Sequence, residues 1–444
     1  MSRILIKSLL ISFLIAITPT LALSQAKDNS PFGQFGLGEF IANDMSSSHS
    51  MGGLGAIYHD FFEANLDNPA SLGFLQYTSL QFGITSKRST YKLNGTTENI
   101  WNGNANHFSL NIPIINPLNQ ALERKETDFA WAMSFSVRPY SQAGYNIIVE
   151  ESLDSLGDIQ RNFTGSGGLY NLNWGNGFKY KNLAAGINLG YLRGQQSFGE
   201  QTYFLDLDNA YDDFFDSNSS YRGFQYRVGL MYEHPMDLKS AREDDDKPSR
   251  LLSAGFYYAG QTNFTTTSDI SLLAVNALTG DVDTALFAED AIGEGILPRA
   301  WGIGFLYHHA GDFRIGVNYD ASPWSIYQND VNQATMMDAW KLGVGGAWIP
   351  DAESITSYFK RVEYRAGFYT SKDPRVIDGY QVTTNAMTFG ASFPFILQRA
   401  ITWVQVGFDV GRRTAGSNLT DNFVRGNVSF IFNDNAWFIK GKYD

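Results

Sequence analysis

The sequence predicts an all-β fold: a transmembrane antiparallel β-barrel of about fourteen strands, with an N-terminal hatch in its lumen. Three observations predict it. The chain opens with an export signal and contains no cysteine. Its composition is rich in glycine (43 of 444 residues) and aromatics (15%) yet poor in charge (18%), against a usual charged share of about 25%. Finally, segments of about ten residues alternate apolar and polar side chains with period two, which is how a barrel wall separates lipid from lumen.

The signal comes first. Arg3 and Lys7 precede an apolar run over residues 9–17, and Ala22-Leu23-Ser24 supplies small residues for cleavage before Gln25. That run is too short for a bilayer span, so residues 1–24 read as a secretory signal peptide. Without the signal's two cations the mature chain carries a net charge of −14. Such acidity disfavours nucleic acid as a partner, and the missing cysteines exclude a small disulfide scaffold. No later apolar run is long enough for a spanning helix.

Residues 25–74 are Gly/Ser-rich, irregular and partly apolar, and they end in Asp67-Asn68-Pro69-Ala70. Irregular backbone cannot sit in lipid with its polar groups unsatisfied, but it can sit in a polar lumen. This segment is therefore read as the hatch, and residues 75–444 as the barrel.

Within the barrel, "FAWAMSFSV" places Phe129, Trp131, Met133, Phe135 and Val137 on one face and small residues on the other. "AGINLGYLRG", "WGIGFLYHH", "FRIGVNYD", "YRAGFYTS" and "VQVGFDVG" repeat the pattern toward the C-terminus. Turns near 181, 310 and 397 are short. The stretches 89–103, 153–168, 197–220, 264–296, 321–337, 371–382 and 412–423 read as long polar extracellular loops. Residues 233–250 and 350–361 read as longer connections on the opposite side. Counting gives fifteen segments, whereas single-chain bacterial barrels have an even number. The boundary at "SVRPYSQAGYN" resolves the count. Pro139 and Gly144 read as a break inside one strand over 128–152, because proline removes a ladder donor and is confined to edges, bulges and breaks. The total is then fourteen.

At this point the sequence resembles the FadL family of outer-membrane transporters for long-chain fatty acids and other hydrophobic compounds. "MGGLGAIYHDFFEANLDNPASLG" (51–73) is similar to the family's hatch signature. "GGLYNLNWGNGFKYKNLAAGINLGYLRGQ" (167–195) and "LPRAWGIGFLYHHAGDFRIGVNYDASPWSIY" (297–327) are similar to two of its hairpins. The resemblance implies a monomeric fourteen-stranded barrel in the outer membrane of a Gram-negative-type bacterium. It also implies an inward kink in the third strand that opens a lateral gap, with the hatch Asn-Pro-Ala beside it. The residues expected to carry the substrate path are Asn68, Pro69 and Ala70 in the hatch and Arg138, Pro139, Tyr140 and Ser141 at the kink. The expected partners are outer-membrane lipid and a hydrophobic small-molecule ligand that is taken up passively, with no cofactor. A long apolar helical pair that gathers substrate in known members is missing here, and the acidic, aromatic stretch 203–220 stands in its place. Some relatives in this branch serve as accessory subunits of protein secretion. The alternative reading is accordingly an accessory barrel that binds a protein partner in a secretion or surface-assembly complex.

Other features have plainer readings. His308 and His309 are adjacent, so a strand would point them to opposite faces. They read as a polar turn. Asp206, Asp208, Asp212, Asp213 and Asp216 have oxygen ligands that calcium can use, but they lack the EF-hand glycine and read as a solvated loop. Gly52-Gly53-x-Gly55 lacks the Lys-Ser/Thr of a phosphate loop. No nucleophile elbow is present, which argues against an enzyme. Trp131, Trp301, Trp324, Trp340, Trp348, Trp403 and Trp437 read as interfacial girdle residues.

Overall fold

The computed structural model describes residues 30–41, 45–93, 96–115, 120, 124, 127–154, 157–207, 209–236, 250–309, 313–397, 400–416 and 419–434. The signal peptide lies outside these residues, as do Trp437, Asp208 and most of the charged run within 233–250.

Fourteen strands make one closed antiparallel barrel. They are β1 (Thr78–Leu93), β2 (Thr96–Ile115), β3 (Phe129–Gln142 and Tyr145–Leu153), β4 (Gly157–Tyr180), β5 (Leu183–Phe204) and β6 (Tyr211–Pro235). Two more interrupted strands follow, β7 (Arg250–Ala259 and Thr262–Asn276) and β8 (Val282–Leu297 and Ala300–His309). The wall ends with β9 (Phe313–Ser322), β10 (Ala339–Trp348), β11 (Glu363–Ile377), β12 (Tyr380–Leu397), β13 (Ala400–Ala415) and β14 (Leu419–Asp434). Pairing of β14 with β1, from Leu419 opposite Leu93 to Asp434 opposite Thr78, closes the ring. Both pieces of β3 pair with β4, so the break at 143–144 is internal to one strand. Among the described residues no helix is long and apolar enough to cross a membrane.

The period-two pattern translates directly into two faces. Along β3, Phe129, Phe135 and Val137 are exposed, while Ala132, Ser134 and Ser136 are buried. The exposed set forms an apolar belt that faces lipid, and the buried set faces inward. On the inward faces, glycines allow backbone to approach backbone. A Cβ at Gly345 would run into the Met51 carbonyl, one at Gly367 into the Gly52 amide, and one at Gly186 into Pro69. Residues 30–41 and 45–77 therefore lie against the inner faces of strands from much of the ring. They contain only short elements: 3-10 turns at Pro31–Gln34 and Pro69–Phe74, a two-residue strand Glu39–Phe40, and one helical turn Ser46–His49. Residues 45–58 and 63–75 are buried throughout.

The long loops expected from the sequence are mostly strand. The ladders run up to Leu93 opposite Thr96, Leu153 opposite Gly157, Ile377 opposite Tyr380 and Ala415 opposite Leu419. Only 321–337 stays largely irregular, with a 3-10 turn at Trp324–Ile326 and a two-residue strand Gln328–Asn329. The reason is solvent. A strand that rises above the membrane has water on both faces, so polar residues are no longer confined to one of them and the alternation is lost without loss of the extended backbone. Trp324 also departs from the girdle reading. Its ring lies 4.5 Å from Phe40, inside the barrel.

Candidate functional site: the break in the wall at β3

Pro139 cannot donate to a ladder, and the register slips between Pro139 and Ser141, which leaves Tyr140 as a bulged residue. Beyond the bulge, Ala143 and Gly144 belong to no ladder, although the Ala143 amide still donates to the Gly167 carbonyl of β4. The distal piece of β3 continues on β4 alone. Its former neighbour β2 pairs with β3 only from Phe108 to Ile115. Among the described residues, β2 above Phe108 and Tyr145–Leu153 of β3 therefore share no ladder. At the lower end of the gap the side-chain amides of Asn104 and Gln142 donate to each other, at 2.6 and 2.9 Å.

The backbone groups released by the break are taken up by the N-terminal segment. Glu39 pairs opposite Gln142 and Phe40 opposite Ser141. The Ile41 amide donates to the Tyr140 carbonyl, and the Ser30 amide donates to the Gly144 carbonyl. Phe40 packs edge-on to Tyr140, with centroids 5.9 Å apart. Glu39 reaches across the lumen to Arg413 Nη1 at 2.7 Å, with Lys87 Nζ at 3.8 Å. Burial pushes its carboxyl upward, but Arg413, Lys87 and Arg375 outweigh that and hold its pKa well below the usual range.

The predicted hatch residues sit differently. Asn68 caps the turn Pro69–Phe74 by accepting from the Ala70 amide, and its side-chain amide donates to the Ala56 and Phe256 carbonyls. Pro69 occupies the first position of that turn, where a missing N–H costs nothing. Asn68, Pro69 and Ala70 lie on the glycine faces of β4, β5 and β6, against Gly177, Gly186 and Gly229. The hydrogen bonds of the Asn68 side chain go to Ala56, Leu230, Phe256 and Ala70 and not to the β3 break. The preceding residue makes the link: Asp67 Oδ1 accepts from Arg138 Nη1 at 2.8 Å, and the Asp67 carbonyl accepts from Arg227. Of the four kink residues, Arg138 thus reaches the hatch turn, whereas Tyr140 and Ser141 meet Phe40.

Three cavities surround the break. The largest, about 1310 Å³, runs from Asn104, Gln142 and Gly144 past the inward-facing Tyr221 to the outward-facing Tyr170 and Tyr191, so it borders both faces of the wall. A second, about 260 Å³, shares Asn104, Gln142 and Gly144 with the first and is lined by Lys87, Arg375 and Arg413. The third, about 270 Å³, sets Phe40, Tyr140 and Trp324 opposite Arg138, Asn171 and Gln225. Phe40 and Ile41 line both smaller cavities, so the two-residue strand is the partition between them.

Two aspartates of 203–216, Asp206 and Asp212, serve strand ends. The Asp158 amide donates to Asp206, and the Phe204 amide donates to Asp212. Among the described residues no group of three or more metal-ligating side chains forms.

The BamG family model matches residues 5–444. The chain belongs to the BamG family. Solved structures show which fold this BamG-family barrel shares. It resembles a Pseudomonas aeruginosa FadL homologue at 12% identity, with a TM-score of 0.58 over 89% of this chain and 99% of that one. It is similar to the Ralstonia pickettii toluene transporter TbuX at 13% identity, with a TM-score of 0.54 over 91% and 99%. It is also similar to the P. putida toluene transporter TodX, again at 13%, with a TM-score of 0.51 over 89% and 99%. No curated protein matches the chain. The FadL resemblance thus holds for the fold, and the family is BamG.

The sequence reading missed Glu39–Ile41 and Asn104. Residues 30–41 hold a single charged residue, Glu39. A lone acid in an otherwise neutral, glycine-rich stretch is a signal, but its counter-ions lie on β1 and β13 and only the closed ring brings them together.

Proposed function

We propose that this BamG-family protein is an outer-membrane channel that passes a small amphiphile sideways between its lumen and the membrane through the break at β3. The observation that carries this reading is the cavity of about 1310 Å³ that borders both faces of the wall where the β2–β3 ladder stops. Residues 30–41 and 45–77 act as the hatch that prevents free diffusion, with Glu39–Ile41 as its partition. The mixed lining selects the ligand. Phe40, Tyr140 and Trp324 favour an apolar body, and the amides and arginines opposite favour a polar head over a pure hydrocarbon. The fold is shared with transporters.

The chain has no cysteine, so an introduced one is unique. Asn146→Cys places a thiol at the mouth of the large cavity, and Asn209→Cys places one on a distal turn as a control. Cells expressing either variant are treated with a bulky maleimide and given a labelled fatty acid. Blocking position 146 should lower uptake to the level of cells without the protein, and blocking 209 should not. Full labelling at 146 with unchanged uptake would refute the lateral route.

A second reading, an accessory barrel that docks a protein partner, is supported by a separate feature: an acidic sheet that rises above the wall.

A further inference from the structure

Above the level of the break, six strand segments continue as an open sheet. Their order is the distal β3, β4, β5, β6, β7 and β8, from Tyr145–Leu153 at one edge to the distal half of β8 at the other. The first edge faces the opening. The second is different. β8 pairs with Gln328–Asn329 only at Gly295 and Ile296, so among the described residues Val282–Gly293 has a ladder on one side alone.

Charge is concentrated here. Residues 145–166, 195–220 and 266–294 hold sixteen acidic side chains and one basic one, Arg161. Since the whole chain carries −12, the remainder has a slight positive excess. Apolar side chains stand among these acids: Phe287 is 64% exposed and Ile292 77%, with Val282 and Leu286 also exposed. Natural edges are usually defended by lysine, proline or a bulge. A bulge at Asp290, with φ of 50°, interrupts this edge. The run Val282–Glu289 below it carries a second bulge at Ala285 but no lysine or proline, and its main-chain groups on either side of that bulge offer a template for another strand.

We infer that the edge Val282–Glu289 binds an extended, lysine- or arginine-bearing polypeptide by adding it as a strand to the acidic sheet. This rests on the second reading above and not on the lateral route. Charge chooses among occupants. A second copy would bring an equally acidic sheet, and lipopolysaccharide would bring phosphates, so both are repelled. A basic strand gains main-chain hydrogen bonds, contacts with Leu286 and Phe287, and attraction to Asp281, Asp283 and Glu289.

The test uses the full-length protein in detergent and a short fluorescent peptide of alternating lysine and valine. Two comparison peptides carry glutamate for lysine, or N-methyl groups on alternate amides. The lysine peptide should bind, with affinity falling as salt rises, and the other two should not. Phe287→Asp should weaken binding about tenfold, as loss of an anchoring side chain does. A variant whose hairpin residues 272–287 are replaced by Asn-Gly should lose binding. That variant should keep its heat-modifiable migration and its uptake, which separates failure here from failure of the lateral route. Equal binding by the trimmed variant, the N-methylated peptide or the glutamate peptide would overturn the inference. So would a concentration-dependent dimer that buries Phe287.

Discussion

Replacing Arg138 by methionine tests how the hatch turn is held to the wall. Arg138 and Asp67 form an ion pair at 2.8 Å with side chains only 6% and 10% exposed. Removing one partner of a buried pair costs about 3–5 kcal/mol, because the other charge stays buried. Arg227 remains 3.7 Å from the same oxygen, which puts the expected loss at the low end, about 3 kcal/mol. Since about 1.4 kcal/mol is a factor of ten, local opening of the turn should become roughly a hundredfold more frequent. Hydrogen exchange of amides in residues 65–72, read by mass spectrometry in detergent, reports that opening. Amides of β12 and β13 serve as the unaffected reference. The double variant Asp67→Asn/Arg138→Met removes both charges and should recover most of the loss. Unchanged exchange in Arg138→Met, or a double variant as open as the single one, would refute the account.

Three further outcomes are expected. Glu63 is buried against Ser47 and Gln405, and burial raises its carboxyl pKa, with Arg365 opposing. A raised acid favours the folded state below about pH 4.3 and loses that advantage as pH rises through the folded value. Glu63→Gln should then be at least as stable as the parent at pH 7.5, with the difference closing near pH 4 in denaturant titrations. Glu39 has the opposite sign: its lowered pKa adds stability above about pH 4.3 that disappears only as pH falls through the lower folded value. Exchange of the Ile41 amide, corrected for intrinsic rate, should stay flat down to pH 4.5 in the parent and be faster at neutral pH in Glu39→Gln. Finally, a Cβ at Gly229 would run into Asn68 Oδ1 and lie 2.9 Å from Pro69 Cδ. Gly229→Ala should therefore lower the unfolding midpoint on heated gels by an overpacking cost of about 1–3 kcal/mol. Gly103→Ala meets nothing nearer than 3.7 Å and should leave the midpoint in place.

The wall was legible wherever one face meets lipid and the other the lumen. Phe129 to Val137 alternate because that strand has two unlike surroundings, and Pro139 marked its break because the ring chemistry is local. Legibility failed where surroundings become uniform. Among the described residues of 199–216 none is buried, so a pair of strands with no dry face looked like a loop. Trp324 has an aromatic partner, Phe40, that is 284 positions away in the chain, and nothing near it in sequence distinguishes it from a girdle tryptophan. The ion pairs of Glu39 and Asp67 likewise depend on which strands the ring sets opposite each other, which no local pattern encodes.

The first and last strands form the seam of this barrel, and the N-terminal segment lies inside it. A ring that closes around its own beginning has its order of assembly built in. Residues 30–41 and 45–77 must occupy the interior before β14 reaches β1, because the closed wall leaves no route for a segment so broadly packed to be threaded afterwards. Strands from β4 to β13 press glycines on that segment, so it serves as the former around which the sheet curls. Losing it would leave the newly made sheet without the shape to which it bends.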